Sequence, residues 1–277
     1  MNKTEFTLEE IKNDCSDLEL RILELYLERR KQKEICELLN IKRGAIDTLV
    51  KKYKLTRFRD RANYTINVNA LNRNNPDIWY VLGLFASDGN VYDMEKCTRV
   101  QFCLDDEEVL YHIKEILGFT GEVKKYFKSG KDRYQLMITN SKLVSFLEEI
   151  FNQDCRRKTE TLLFPENIPS EECMIMFLRG FIEGDGSFRA HSDSKYYRFS
   201  IYCKSKNFIL KLKNIIENII GRECSFYNNS TIELSSKNDN YKLYKFLYEK
   251  FENKYFMNRK YERAKAHIIA YENELKI

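Results

Sequence analysis

Two aspartates stand out because each closes a helical run that glycine weakens. Asp185 ends the run in FLRGFIEGDGSF (177–188), and Asp88 ends the one in WYVLGLFASDGNV (79–91). Glycine inside a helix costs about 1 kcal/mol relative to alanine, so Gly180 and Gly184, four apart, need a compensation. The other run carries Gly83 and Ser87 at the same spacing. Residues i and i+4 share a face, and small residues there let a second helix approach until the backbones nearly touch. The apolar neighbours also match, Val81, Leu84 and Phe85 against Leu178, Phe181 and Ile182. The two helices are therefore expected to pack side by side, and in parallel they would bring both carboxylates to one end.

That placement is electrostatically unfavourable. A carboxylate at a helix C-terminus faces the negative end of the dipole, and two nearby carboxylates raise each other's pKa. A divalent cation removes the conflict, because a bound ion dominates the local field. Two aspartates and nearby helix-end carbonyls suit Mg²⁺, which keeps several waters and completes its shell with phosphate. A single Asp-Gly reads as a turn, with Gly89 or Gly186 in a C′-like position where a left-handed conformation is cheap. The repetition, with the same helix before and the same strand order after, favours a site.

The elements repeat as well. In the first copy, Pro76-Asp77 opens a helix over 77–87. A strand at Arg99–Leu104, a helix at Glu107–Leu117, strands at Gly121–Tyr126 and Tyr134–Thr139 and a helix at Lys142–Ile150 follow. After the connector TLLFPENIPS (161–170), the second copy starts with a helix over 171–184. Strands near Ser187–His191 and Arg198–Cys203, a helix at Lys206–Ile220, strands near Glu223–Asn228 and Thr231–Ser235 and a helix at Lys242–Phe251 complete it. RVQFC (99–103) corresponds to RFSIY (198–202). Two related units make a pseudo-two-fold molecule, a symmetry suited to both strands of a duplex.

Ahead of these units, Leu18, Ile22, Leu25 and Tyr26 recur at helical spacing, as do Ile35, Leu38 and Leu39, and then Ile46, Leu49, Val50 and Tyr53. QKEICELLNIKRGAIDTLVKKYKL resembles a helix-turn-helix, whose third helix would expose Lys42, Arg43, Asp47, Thr48, Lys51 and Lys52. The whole chain has 47 basic and 42 acidic residues, a net charge of +5, which alone proves no anionic partner. Positions 42–61 are different, with eight Lys or Arg against two Asp. Arg57, Arg59 and Arg61 lead into an Asn-rich stretch that could track phosphates or lie in a minor groove. The expected boundaries are 1–56 for the helix-turn-helix, 57–75 for a basic and polar linker, 76–160 and 171–277 for the two units, and 161–170 for the connector.

The eight cysteines are scattered without a CxxC pair beside only three histidines, which argues against zinc and for reduced thiols. No apolar stretch approaches the length of a membrane span. An intracellular protein is expected, cytoplasmic or nucleoid-associated in a bacterium, without a membrane partner. A start lacking a nucleophilic Cys or Ser and an ELKI end give no sign of an intein, so a free-standing or intron-encoded protein is expected.

VLGLFASDG (81–89) and LRGFIEGDG (178–186) both resemble the LAGLIDADG motif of homing endonucleases. A chain with two copies resembles the monomeric, pseudo-symmetric class, over about 77–270. The resemblance implies an α+β fold of two αββαββα units, with the motif helices at their interface and saddle-like antiparallel sheets over a long double-stranded DNA site. It implies Asp88 and Asp185 as the metal-binding, water-activating acids, with backbone carbonyls of Ser87 and Gly184 facing Mg²⁺, or Mn²⁺ or Ca²⁺ in the same sites. It also implies a lysine late in each unit. CRRKTETLLFPENIP (155–169) gives Lys158 and YFMNRKYERAK (255–265) gives Lys260, 70 and 75 residues after their aspartates. Ala86 and Glu183 depart from the motif name at a position that the resemblance leaves outside the chemistry.

The implied activity is hydrolysis of both DNA strands across the minor groove, leaving short 3′ overhangs. Sequence reading would fall to polar sheet residues, foremost Arg99 with Gln101 and Arg198 with Ser200, and also Lys124, Arg133, Gln135, Arg189 and Lys204. An inactive DNA-binding regulator and an RNA maturase are the alternatives on the same scaffold. Retention of both aspartates argues against the regulator.

Overall fold

The computed structural model describes residues 15–28, 30, 32–53, 55, 64–94, 97–156, 158–190, 197–251 and 254–275. The chain divides into two compact units, Met1–Asn63 and Tyr64–Ile277. Arg57, Arg59 and Arg61 lie outside the described residues.

In the first unit, α1 (Asp17–Leu27) opens with a capping box, in which Ser16 and Glu19 each accept from the other's backbone N–H. Helices α2 (Gln32–Leu39) and α3 (Arg43–Lys52) follow. Each packs on the other two, around Ile22, Leu25, Tyr26, Ile35, Ile46, Leu49 and Val50. Two residues of the apolar stripes face solvent instead, Leu18 at 50% and Leu38 at 63% exposure, because three short helices enclose only a narrow core.

The larger unit has a 3₁₀ turn (Val68–Ala70) ahead of α4 (Pro76–Asp88), where the Asn75 side chain accepts from the Asp77 N–H and proline occupies the first turn. It continues with β1 (Gly89–Met94), β2 (Cys97–Leu104), α5 (Glu107–Ile116), β3 (Lys124–Lys128), β4 (Lys131–Ile138) and α6 (Ser141–Phe151). The order then repeats as α7 (Glu171–Asp185), β5 (Gly186–Ala190), β6 (Tyr197–Tyr202), α8 (Lys206–Ile220), β7 (Ser225–Tyr227), β8 (Thr231–Leu234) and α9 (Lys237–Tyr244). A π-helical turn (Lys245–Glu249) and α10 (Asn258–Leu275) end it. The two αββαββα halves form open antiparallel sheets of matching order, β1-β2-β4-β3 and β5-β6-β8-β7.

Strand register fixes the correspondence between the halves. Gly89 pairs with Phe102 and Gly186 with Ile201, so Arg99 matches Arg198 and Gln101 matches Ser200. One face of each sheet is apolar and buried: Val100, Phe102, Leu136 and Ile138 in the first, Phe199, Ile201, Ile232 and Leu234 in the second. A single hydrophobic core continues from one half into the other.

Several expectations are corrected. GNVYDM is rich in turn formers and carries no clear strand signal, yet it is β1, held by its ladder to β2. Strand β3 starts at Lys124 rather than Gly121, and β4 at Lys131 rather than Tyr134, because the hairpin turns at Ser129-Gly130, both at positive φ. Helix α9 starts before Lys242, where Ser236 accepts from the Asp239 N–H. Gly89 and Gly186 are not left-handed: at φ −74° and −75° they are extended and pass directly into strands. Glycine is needed there for space, because a Cβ would stand 2.6 Å from Phe85 Cα at Gly89 and 2.5 Å from the Ile182 carbonyl oxygen at Gly186.

Candidate active site

The site is built on the seam between α4 and α7. A Cβ on Gly83 would overlap the Phe177 carbonyl oxygen and lie 2.7 Å from the Phe181 nitrogen. One on Gly180 would overlap the Tyr80 carbonyl oxygen and lie 2.9 Å from the Leu84 nitrogen. Contacts step forward together, from Tyr80 and Gly83 against Gly180 to Ser87 and Asp88 against Gly184, so the helices run in parallel. A Cβ on Gly184 would overlap Ser87 Oγ and stand 2.5 Å from Asp88 Oδ2. The glycines thus bring the C-terminal ends, and with them Asp88 and Asp185, into one neighbourhood.

Asp88 is half-buried and Asp185 exposed, yet the protein packed around them desolvates both carboxyls and raises their pKa. Asp185 is pushed up to about 6 by desolvation, with the Asp88 charge adding to it and Lys158 and Lys260 opposing it. Asp88 is raised by desolvation, against the nearby Ser87 hydroxyl and the attraction of the same lysines. Its Oδ2 is buried without a hydrogen-bond partner among the described residues.

Lys158 and Lys260 are not surface lysines, being only 7% and 8% exposed. Lys158 Nζ donates to the Ala86 carbonyl at 2.7 Å and sits 5.1 Å from the Phe85 ring centroid. Desolvation lowers its pKa to about 8 while Asp185 and Asp88 hold it up. Lys260 Nζ donates to the Gly186 carbonyl and, at 3.5 Å, to that of Gly184. Its pKa is lowered by burial and then by Arg259. The two aspartates, the two lysines and the Gly184 carbonyl are therefore gathered at one seam.

A divalent cation fits this donor set. The unpartnered Asp88 Oδ2 is a free acceptor, and a cation would relieve the mutual repulsion of the two carboxylates. Among the described residues no group of three or more His, Cys, Asp or Glu could enclose an ion. The ligands would be the two carboxylates and helix-end carbonyls, with positions left for water and phosphate.

The polar sheet residues occupy one face in each half. Arg99, Gln101, Arg133, Gln135 and Lys124 alternate with or pair across from one another on the side opposite the first sheet's core. Arg189, Arg198 and Ser200 do the same in the second, and Lys204 is exposed just after β6. Several already have partners. Arg99 Nε donates to Thr139 at 3.2 Å, both Gln101 and Gln135 donate to Cys103 Sγ, and Arg198 pairs with Glu233 at 3.3 Å. Arg133 lies 3.6 Å from Asp105. Acids beside these basic residues were not anticipated, although Glu233 could have been found from the alternation of TIEL. In the first unit Lys42, Arg43, Thr48, Lys51 and Lys52 lie on or beside α3 and are all exposed, while Asp47 is half-buried. Arg43 donates to Gln32 at 3.0 Å, and Thr48 donates to the Gly44 carbonyl at 2.8 Å.

A further buried acid, Glu183, stands at the seam although its sequence position pointed away from the chemistry. It is fully buried and accepts from Tyr80 Oη at 2.8 Å, Tyr248 Oη at 2.9 Å and the Met257 N–H at 2.8 Å. Desolvation raises its carboxyl to about 7 against these hydrogen bonds.

Residues 75–151 and 172–248, together more than half of the chain, match the family model described as a LAGLIDADG-like domain. Solved structures of similar fold include I-AabMI bound to uncleaved DNA, at 16% identity over 73% of this chain and 91% of that one, with a TM-score of 0.46. I-SmaMI bound to an uncleaved DNA target with calcium ions shares 17% identity over 72% and 92%, also at 0.46. I-GzeII in complex with its DNA target shares 15% over 72% and 92%, again at 0.46. No curated protein matches the chain. With two motifs, two matched stretches and two αββαββα halves joined along the motif helices, the chain belongs to the LAGLIDADG-like domain family and has the LAGLIDADG homing-endonuclease fold.

Proposed function

We propose that this protein is a site-specific endonuclease that hydrolyses both strands of a long double-stranded DNA site in the presence of Mg²⁺. The observation that carries the reading is the pair of aspartates at the adjoining ends of two parallel helices, each half also contributing a buried lysine. A regulator that only binds DNA has no use for so unfavourable a charge arrangement.

Asp88 and Asp185, with the backbone carbonyls of Ser87 and Gly184, would hold Mg²⁺, and Mn²⁺ or Ca²⁺ could occupy the same sites. When bound, the ion supplies Lewis-acid stabilisation of phosphoryl charge and lowers the pKa of the attacking water. The carboxylates would hold the attacking water toward the scissile phosphate. Lys158 and Lys260 are cationic donors whose charge would stabilise the crowded phosphate and the departing 3′ oxygen. Burial of the two lysines limits bulk water around their amines, which strengthens their electrostatic contacts.

The open polar sheet faces would bind the duplex, with Arg99 and Gln101 in one half and Arg198 and Ser200 in the other at matching register positions. Lys124, Arg133, Gln135, Arg189 and Lys204 extend those faces. The helix-turn-helix would add phosphate and groove contacts through Lys42, Arg43, Thr48, Lys51 and Lys52, and the segment with Arg57, Arg59 and Arg61 would continue along the backbone. One chain holds both halves, so a monomer would cut both strands.

The direct test is selection of cleaved molecules from a random DNA library with Mg²⁺ and with EDTA. Discrete double-strand breaks at related sequences, seen only with the metal, are expected. Binding without cleavage under every divalent cation tried would favour the regulator.

A further inference from the structure

Glu183 lies two residues before Asp185 on α7, and its carboxylate receives three donors from three separate parts of the fold. Tyr80 belongs to α4, Tyr248 to the π-helical turn, and Met257 to the start of α10. Met257 begins that helix, since its carbonyl accepts from the N–H groups of Lys260 at 3.0 Å and Tyr261 at 2.9 Å. One turn before Glu183, the buried Arg179 donates to the Leu247 carbonyl at 2.9 Å and the Tyr255 carbonyl at 3.3 Å. The same short segment is tied to the first half by Lys254 to Glu115 at 2.6 Å and Arg259 to Asp106 at 2.9 and 2.7 Å.

We propose that Glu183 is a positioning residue, whose carboxylate fixes the start of α10 and thereby places Lys260 against the Gly184 and Gly186 carbonyls beside Asp185. The inference rests on the endonuclease reading for its catalytic consequence, but its geometric content does not. A buried carboxylate with three donors is costly to disturb, and an outer support commonly controls its neighbour's activity by about 10- to 100-fold. The device is one-sided. The first half carries Ala86 and Leu82 where the second carries Glu183 and Arg179, and Lys158 reaches the Ala86 carbonyl with no such carboxylate behind it among the described residues. Lys158 is therefore an internal control.

Two measurements test it. In the free protein, amine acylation followed by mass spectrometry reads the accessibility of Lys260 and Lys158 separately. Glu183→Ala is expected to raise the Lys260 rate roughly tenfold and leave Lys158 unchanged. Glu183→Gln keeps an acceptor for the Met257 N–H and should restore protection. Where the alanine variant does not fold, Glu183→Asp withdraws the acceptor by one methylene and should show the same selectivity. An equal rise at both lysines, or none at either, overturns the proposal.

In single-turnover cleavage, Glu183→Ala should slow the reaction about 10- to 100-fold with DNA affinity unchanged. It should add no further loss in a Lys260→Ala background, whereas additive losses overturn the proposal. If wild-type protein cleaves no DNA, the endonuclease reading fails, and the labelling result still decides the role of Glu183.

Discussion

Among single residues, the desolvated charges at the seam carry a thermodynamic signature. Asp185 has its pKa raised to about 6 from an ordinary 3.8, so between those values the folded state binds more protons than the unfolded chain. Stability from this group is present at low pH and is lost as pH rises to about 6. In metal-free buffer the melting temperature of Asp185→Asn should therefore match wild type near pH 4 and exceed it increasingly toward pH 6 and above. Added Mg²⁺ should reverse the order by stabilising only the wild type. Lys158, lowered to about 8 from 10.5, has the opposite sign. Lys158→Met should be more stable than wild type at pH 7, and the advantage should shrink as pH rises above about 8. Differential scanning calorimetry across pH checks both. The aspartates were legible in the sequence because each ends a local pattern that occurs twice. The role of Glu183 was not, because its partners Tyr80, Tyr248 and Met257 lie 103, 65 and 74 residues away, and no local pattern records such a meeting.

At the scale of elements, the α4–α7 seam is the part most sensitive to a single added carbon. In an isolated helix Gly→Ala gains about 1 kcal/mol, but at Gly83 or Gly180 the new Cβ meets backbone atoms of the partner helix, which cannot rotate away. Gly180→Ala should destabilise the protein by about 3 kcal/mol and reduce cleavage through displacement of Asp185. Gly44 in α3 has no atom within 4 Å of its missing Cβ, so Gly44→Ala should gain up to about 1 kcal/mol. Urea unfolding distinguishes the two outcomes. The seam could be read in the sequence because i, i+4 spacing is a helix-surface property. Strand β1 could not, since Gly89, Asn90 and Asp93 hide a segment that is extended only because β2 pairs with it. The same holds for the π-helical turn, whose Leu247 carbonyl is held by Arg179 from another helix.

At the scale of the whole molecule, the pseudo-symmetry was visible as repeated element order, and the strand register makes it residue-specific. The symmetry is incomplete in chemistry: the two lysines use different carbonyls, and among the described residues only the second half has a buried carboxylate behind the motif. If the helix-turn-helix acts as proposed, deletion of residues 1–63 should leave cleavage intact but weaken DNA binding. The slope of log affinity against log salt should fall by about 0.9 for each phosphate that the shortened protein no longer neutralises, measurable by fluorescence anisotropy. Single-turnover cleavage of a selected DNA site in Mg²⁺, with binding measured in Ca²⁺, reports on the shared site itself. Asp88→Asn and Asp185→Asn should each retain wild-type affinity and lose about a thousandfold in rate, roughly 4 kcal/mol. Cleavage of both strands at the wild-type rate by either variant would contradict the assignment.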